Sequence, residues 1–139
     1  MSDAAANKAR LQTLYRRWHE TRGGALEELI GVFADDISFG SLAQGAPLAT
    51  FTALRVGKTQ MRSYFDELLS GWSMNHYTVD HMIAEGDRVA VVGSTSWTSK
   101  LTKKTVETPK VDVWRFRDGR AVEFYEYYDT AKLYAAAQP

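Results

Sequence analysis

The chain has 139 residues and a mass of 15.6 kDa, which suits a single domain over residues 1–139 with its own hydrophobic core. Its 17 basic and 17 acidic residues balance, so the net charge gives no attraction to nucleic acid or to an anionic membrane. The lack of cysteine excludes disulfides, thiolate metal sites and cysteine nucleophiles. The sequence has neither an apolar run of about 18 residues nor an apolar signal core near its first residue, so we expect a cytoplasmic protein that does not span a membrane.

Apolar residues at helical spacing predict helices in the first half of the chain. Leu11, Tyr15 and Trp18 form such a stripe, and the Gly23-Gly24 pair after it is typical of a helix end. Thr59 is suited to begin another helix, because its hydroxyl can accept a hydrogen bond from a free backbone N–H. The predicted helices span residues 4–22, 25–34 and 59–71, with a short last helix over 131–137.

Alternating apolar and polar residues predict a sheet in the second half. The segment 40–53 has no clear periodicity, so it is the best candidate for the lid or the mouth of a binding site. Helices followed by strands are the order of the α+β class. The predicted strands span residues 37–39, 75–84, 88–101, 105–117 and 120–130, and the last four are expected to be antiparallel.

The turn between the last two strands decides which side chains share a face. A three-residue loop over 117–119, which we prefer, pairs Asp112 with Phe124 and turns Glu126 to the same side as Asp112. A two-residue turn at 118–119 shifts the register by one and turns Asp129 to that side instead. The sequence Arg-Asp-Gly-Arg permits either turn. In the preferred register one largely apolar face carries Asp112, Trp114, Phe116, Phe124, Glu126 and Tyr128.

Two acids on an apolar face are candidates for proton chemistry. A carboxyl group in apolar surroundings has a raised pKa and can exchange protons near neutral pH. The alternative is that Glu126 pairs with Lys110 across the strands and only stabilises the sheet. His76 shares a strand face with Thr78 and Asp80, and it becomes a second acid–base group if that face lines the cavity. With three histidines and no cysteine, we expect no metal site, and no motif predicts a cofactor.

Several short motifs occur in an order typical of one superfamily. They are Phe33-Ala-Asp-Asp36, Gly57-Lys58, Glu85-Gly86-Asp87, and Phe116-Arg-Asp-Gly-Arg120 followed by Glu126-Tyr-Tyr-Asp129. Over nearly the whole chain this order resembles the SnoaL-like and ketosteroid-isomerase-like branch of the nuclear-transport-factor-like superfamily. The resemblance implies a cystatin-like α+β fold, in which a cone-shaped, curved, mostly antiparallel sheet wraps around N-terminal helices and encloses a ligand cavity.

The resemblance also implies roles for individual residues. In ketosteroid isomerases, the aspartate at the position of Asp112 is protonated and donates a hydrogen bond to an enolate oxygen, with a tyrosine as its partner. Tyr15 is the candidate for that tyrosine. Ser41 stands where those isomerases have their general base, so that base is missing here. Related hydrolases and cyclases keep an acid at the position of Glu126, which makes it the candidate base.

These observations predict a cofactor-independent enzyme of isomerase, cyclase or dehydratase type that acts on a small hydrophobic, ring-bearing substrate. Glu126 is the predicted base, Asp112 and Tyr15 are the predicted donors, and His76 is a further catalytic candidate. The alternative is a non-catalytic ligand-binding or interaction module of the same fold. The predicted ligand-binding residues are Trp18, Phe39, Trp114, Phe116, Phe124 and Tyr128.

A homodimer is predicted through the outer face of the sheet. A few helices cannot cover both faces of a curved sheet, and exposed apolar and aromatic side chains usually mark an interface. In the preferred register that outer face carries Val111, Val113, Arg115, Tyr125 and Tyr127.

Overall fold

A computed structural model describes residues 3–139, and this part of the chain forms four α-helices and one six-stranded sheet. The helices are α1 (Asp3–Glu20), α2 (Leu26–Ile30), α3 (Lys58–Gly71) and α4 (Thr130–Ala137). The strands are β1 (Phe33–Ser41), β2 (Arg55–Val56), β3 (Trp72–Glu85), β4 (Arg88–Ser99), β5 (Thr105–Arg117) and β6 (Arg120–Tyr128). No helix within 3–139 is long and apolar enough to cross a membrane.

The sheet has the strand order β2-β1-β6-β5-β4-β3. Neighbouring strands are antiparallel except β1 and β6, which run parallel. The predicted α+β class and mostly antiparallel sheet are therefore confirmed. Strand β2 lies just after the segment 40–53, which also contains a short 3-10 turn at Thr50–Thr52.

Helices α1 and α3 pack against the sheet through the apolar stripes that their sequences contain. Leu11, Tyr15 and Trp18 of α1 are buried, because positions three or four apart lie on one side of a helix. On α3 the buried side chains include Tyr64 and Phe65. The ring of Phe65 lies 5.5 Å from that of Trp18, edge to face, so the two helices meet in one aromatic core.

The long strands bend at β-bulges. The register of β3 against β4 shifts between Met74 and His76, and again between Val79 and His81. Gly93 lies at the second shift, where a Cβ would stand 1.9 Å from the backbone oxygen of Thr78. Only glycine lets the two strands approach so closely, and the resulting bend curves the sheet around the helices.

The turn between β5 and β6 has two residues, so the predicted three-residue loop is wrong. Arg117 pairs with Arg120, and Asp118 and Gly119 both have positive φ, 51° and 79°, as a type I′ hairpin turn requires.

A bulge next to this turn restores the predicted face. The register shifts by one residue between Arg115 and Phe116, so that Trp114 pairs with Phe124 and Asp112 with Glu126. The expected pairing of Asp112 with Phe124 is wrong, but Asp112 and Glu126 share the inner face as predicted. Asp129 instead begins α4, where its side chain accepts a hydrogen bond from the backbone N–H of Lys132.

The predicted second helix ends earlier than expected. Helix α2 stops at Ile30, because Phe33 already pairs with Ala121 of β6 and begins β1. Helix α3 begins at Lys58 after Gly57, which has φ 87°, and Thr59 therefore lies inside the helix rather than capping it. These differences leave the order of elements unchanged.

Candidate active site

Aromatic side chains line a cavity between the inner face of the sheet and helices α1 and α3. The cavity has a volume of about 100 Å³ and is open to solvent on one side. Among the described residues that line it, Lys110 is the one cation, and Asp112 and Glu126 are the two anions. The aromatic lining residues are Tyr15, Trp18, Phe33, Phe51, Tyr64, Phe65, Trp72, Tyr77, Trp97, Trp114, Phe124 and Tyr128.

Strands β5 and β6 place the two carboxylates opposite each other. Asp112 and Glu126 are 2% and 4% exposed. Lys110 lies two residues before Asp112 on β5 and therefore on the same face of the strand. Its Nζ is 2.8 Å from Oδ1 of Asp112 and 2.9 Å from Oε2 of Glu126. One ammonium thus bridges two carboxylates, and the ionised group carries a net charge of minus one.

The hydrogen-bond directions around Asp112 follow from its neighbours. Its Oδ2 lies 2.5 Å from the hydroxyls of both Tyr15 and Tyr77. The indole N–H of Trp114 donates to the Tyr15 hydroxyl at 2.9 Å, and Lys110 donates to the Tyr77 hydroxyl. Because indole and ammonium groups can only donate, each tyrosine hydroxyl receives one bond and directs its own proton to Asp112. Asp112 therefore accepts three hydrogen bonds, the pattern of an ionised carboxylate, rather than lying in the apolar surroundings that we expected.

Glu126 has fewer partners than Asp112. The hydroxyl of Tyr64 donates to its Oε1 at 2.8 Å, and Lys110 bonds to its Oε2. The rings of Phe39 and Tyr64 lie 4.2 Å apart, and Phe124 stacks on Phe39 at 5.5 Å, so an aromatic wall holds this tyrosine in place. We refer to Tyr15, Tyr64, Tyr77, Lys110, Asp112 and Glu126 as the acidic cluster.

The cluster controls the protonation of its members. Burial by itself lowers the pKa of Lys110, but the carboxylates of Asp112 and Glu126 outweigh that effect and hold the pKa well above its usual range. Burial, together with the nearby carboxylates, raises the pKa of each of the three cluster tyrosines well above 10.0. Burial and the charge of Glu126 raise the pKa of Tyr128 to about 12. At neutral pH the lysine is therefore charged and these tyrosines are neutral.

A comparison with protein families shows to which family this chain is related. The family of the SnoaL-like domain matches residues 11–124. The chain belongs to the SnoaL-like family. The matched range of this SnoaL-like chain contains five of the six cluster residues, and Glu126 lies two residues beyond it. No curated protein matches the chain.

Solved structures show the same fold. An NTF2-like protein of unknown function from Burkholderia pseudomallei K96243 is 21% identical with a TM-score of 0.82, over 100% of both chains. A proposed SnoaL-like polyketide cyclase from Mesorhizobium loti is 21% identical with a TM-score of 0.74, over 92% of this chain and 100% of that chain. IdmH, a proposed polyketide cyclase from Streptomyces antibioticus, is 20% identical with a TM-score of 0.69, over 94% of this chain and 96% of that chain. The SnoaL-like chain thus has the α+β cone fold that its sequence predicts.

Most of the site residues predicted from the sequence meet in the cavity, although their roles stay predictions. Phe39 and Phe116 lie behind the lining, where Phe39 stacks on Phe124 and Phe116 stacks on Trp114 at 6.1 Å. They support the wall instead of forming its surface. The predicted residues that line the cavity are Tyr15, Trp18, Asp112, Trp114, Phe124, Glu126 and Tyr128.

His76 does not line the cavity. The bulge between Met74 and His76 reverses the alternation of β3, so that Tyr77 turns inward where unbroken alternation places His76. The ring of His76 bonds to Thr78 at 3.1 Å and to Glu107 at 2.9 Å. The expected position of His76 among the acid–base groups is wrong for this reason.

Sequence reasoning missed three members of the acidic cluster. Tyr77 was hidden by the bulge in β3. Tyr64 was covered only by the predicted helix over 59–71, and Lys110 was predicted only as a structural partner of Glu126. The signal for Lys110 was present, because Lys110, Asp112 and Trp114 are spaced two residues apart on one strand and therefore lie on the same face.

The segment 40–53 lies beside the cavity. Phe51 lines the cavity, and the Tyr128 hydroxyl lies 2.6 Å from Oγ of Ser41 and accepts a bond from the backbone N–H of Ala43 at 3.2 Å. The predicted lid function of this segment stays a prediction. Within 3–139, no group of three or more histidine, aspartate and glutamate side chains is placed to hold a metal ion.

Proposed function

We propose that this SnoaL-like chain is a cofactor-independent enzyme that moves a proton within a small, largely apolar, ring-bearing substrate. The chemistry is proton abstraction next to a carbonyl and return of the proton, as in isomerisation, aldol cyclisation or dehydration. The observation that carries this proposal is a buried carboxylate, Glu126, held beside one lysine at the end of an aromatic cavity.

Glu126 is the proton acceptor. It accepts one hydrogen bond, from Tyr64, and forms an ion pair with Lys110, whereas Asp112 accepts three hydrogen bonds, so Glu126 keeps more free acceptor capacity for a substrate proton. Asp112 acts as a positioning residue, because it holds the hydroxyls of Tyr15 and Tyr77 and the ammonium of Lys110 in fixed orientations. This role differs from that of the protonated donor in ketosteroid isomerases.

Lys110 stabilises the charge that moves during the reaction. The C–H bond next to the carbonyl breaks, its proton goes to Glu126, and its electron pair forms the enolate. Glu126 becomes neutral, and the negative charge moves to the substrate oxygen. The ammonium of Lys110 lies within hydrogen-bond distance of Glu126, so it attracts that charge both before and after the transfer. The net charge of the filled cavity stays at minus one.

Membership of the SnoaL-like family supports this class of chemistry, and two solved structures of the same fold are proposed polyketide cyclases. Because the fold also hosts proteins that only bind ligands, the chemistry must be tested directly.

The test is deuterium exchange at the carbon next to the carbonyl of 2-tetralone, a bicyclic ketone, followed by proton NMR in D₂O. The protein is expected to accelerate exchange over buffer, and Glu126→Gln is expected to lower that rate by about 10²–10⁴. Glu123→Gln is the matched control, because Glu123 lies on the same strand but bonds to Arg88 and Arg115 on the outer face. Unchanged exchange in a folded Glu126→Gln variant contradicts the proposal.

A non-catalytic ligand-binding module is the second candidate. Binding of 2-tetralone in the cavity without any acceleration of exchange favours this function over catalysis.

We further propose that the chain forms a homodimer through the outer face of the sheet. The observed register places Val111 opposite Tyr127 and Val113 opposite Tyr125 on that face. Tyr127 is 45% exposed, and its ring lies 4.8 Å from that of Tyr125. The exposed ring of Tyr127 beside the half-buried ring of Tyr125, with valines opposite both, suits burial against a second copy of the chain.

A further inference from the structure

We propose that the acidic cluster binds the hydroxyl group of an enol or phenol, which donates its hydrogen bond to Glu126. This inference rests on the proposed function for the identity of the site, and it deepens that function because it names the polar group of the substrate. It follows from an account of every proton that the cluster can donate.

Three acceptors surround the ammonium of Lys110: it donates hydrogen bonds to Asp112 and Tyr77 and forms an ion pair with Glu126. An ammonium group has about three donors, as many as these acceptors. The side chain is only 10% exposed, so water does not compete freely for these donors.

The tyrosine hydroxyls of the cluster have no free proton. Tyr15 receives a bond from Trp114, and Tyr77 receives one from Lys110, so both direct their protons to Asp112. Tyr64 directs its proton to the ionised Glu126.

Only acceptor positions are left. A carboxylate offers about four lone-pair positions; hydrogen bonds use three of them at Asp112, and at Glu126 one hydrogen bond and the ion pair with Lys110 leave positions open. A ligand that places a carbonyl, ether or carboxylate oxygen here meets no free donor, and burial of such an unpaired polar group is costly. A ligand that brings an X–H group completes the network.

A hydroxyl fits better than an ammonium. A second ammonium at Glu126 stands close to the ammonium of Lys110, whose like charge repels it. A hydroxyl brings one donor, no charge and a smaller loss of hydration than a cation does.

This preference bears on the reaction. A ketone presents an acceptor to the cluster, whereas its enol presents a donor. The C–H bond breaks, its proton passes to Glu126, and its electron pair forms the carbon–carbon double bond. Glu126 then gives a proton to the enolate oxygen, which forms the O–H bond that the cluster accepts. The cluster is thus complementary to the enol and favours enolisation.

Isothermal titration with four compounds on similar frames tests the inference: 2-naphthol, 2-tetralone, 2-naphthoate and 2-naphthylmethylammonium. We expect 2-naphthol to bind at least about tenfold more tightly than 2-tetralone, since a hydrogen bond to a charged group contributes about 1.5–3 kcal/mol. We expect 2-naphthoate to bind most weakly. Equal affinity for naphthol and tetralone overturns the inference, and so does tighter binding of the ammonium, which indicates a cation site.

Glu126→Gln is expected to reduce the preference for naphthol over tetralone at least about threefold, because the amide brings N–H donors of its own. Glu123→Gln is expected to leave the preference unchanged. A preference that survives in Glu126→Gln places the hydroxyl elsewhere and overturns the inference. Binding needs no turnover, so a protein that prefers naphthol but does not accelerate exchange refutes the catalytic proposal alone.

Discussion

At the scale of single residues, one lysine determines the charge of the cavity. Lys110 neutralises one of two buried carboxylates and fixes the orientation of Tyr77. The alternation of side chains along β5 puts Lys110 on the same face as Asp112. Lysine is rarely buried, however, so a solvated position or a structural ion pair was the natural interpretation. What the sequence could not reveal is that side chains of three strands, β3, β5 and β6, converge on this one ammonium.

Lys110→Met is expected to destabilise the fold, because it leaves the carboxylates of Asp112 and Glu126 buried without a cation. Removing one partner of a buried ion pair typically costs about 3–5 kcal/mol. Urea unfolding at pH 7 measures the change. Lys132→Met, at an exposed position on α4, is the control and should change stability by less than about 0.5 kcal/mol.

If Lys110→Met does not fold, the double variant with Glu126→Gln keeps the prediction testable, because it removes one of the two unpaired anions. We expect this double variant to be more stable than Lys110→Met alone. A single variant as stable as the unmodified chain contradicts the role assigned to Lys110.

Alkaline pH is expected to weaken the fold through the same groups. The cluster tyrosines and Lys110 have raised pKa values in the folded chain, against ordinary values of 10.0 and 10.5. Their stabilisation is complete below those ordinary values. This stabilisation is lost as the pH rises from the ordinary pKa values toward the higher pKa values of the folded chain, because the unfolded chain releases these protons first.

Unfolding free energies between pH 8 and pH 11 check this expectation. Tyr64→Phe should lessen the fall in stability with pH, because it removes one such group, whereas Tyr134→Phe on α4 should not. If the unmodified chain, Tyr64→Phe and Tyr134→Phe all lose the same unfolding free energy with pH, the acidic cluster is not the source of the loss.

At the scale of elements, the sequence predicted the kinds of helices and strands but not the bulges. A bulge adds one residue, and the alternation on each side of it remains regular, so the pattern does not reveal where parity reverses. In β3 this moved Tyr77 to the cavity in place of His76. Near Phe116 a bulge compensated for the two-residue turn, so that Asp112 and Glu126 share the inner face as predicted.

Gly93→Ala tests the bend that this geometry requires. Its Cβ would meet backbone atoms of Thr78, which cannot rotate away, so we expect a loss of about 1–3 kcal/mol or more. Gly71→Ala is the matched control, because no atom lies within 4 Å of the added Cβ. We expect its effect to stay within about 1 kcal/mol. Equal thermal stability of the two variants contradicts the close approach at Gly93.

At the scale of the whole molecule, the curved sheet has an inner face that lines the cavity and an outer face that is only partly covered. The inner face holds the cavity and the acidic cluster. The outer face holds the cross-strand pairs of Val111 with Tyr127 and Val113 with Tyr125. Family resemblance and element order predicted this overall form well, because both depend on many residues at once.

The outer face predicts a dimer. Sedimentation at micromolar protein should show a species of twice the 15.6 kDa chain mass, and Tyr127→Arg should shift it toward the monomer without loss of the folded core. Ile83→Arg, at an exposed position on the edge strand β3, is the control and should leave the dimer intact. A species of 15.6 kDa alone in the unmodified protein rules out this assembly.

The most direct test of the central claim, that the polar group of the substrate meets Glu126 inside the aromatic cavity, is a crystal structure of the protein with 2-naphthol. The naphthalene rings should lie in the aromatic cavity, with the hydroxyl oxygen about 2.5–2.8 Å from a carboxylate oxygen of Glu126. A ligand outside the cavity, or a hydroxyl beyond hydrogen-bond distance of Glu126, contradicts the claim.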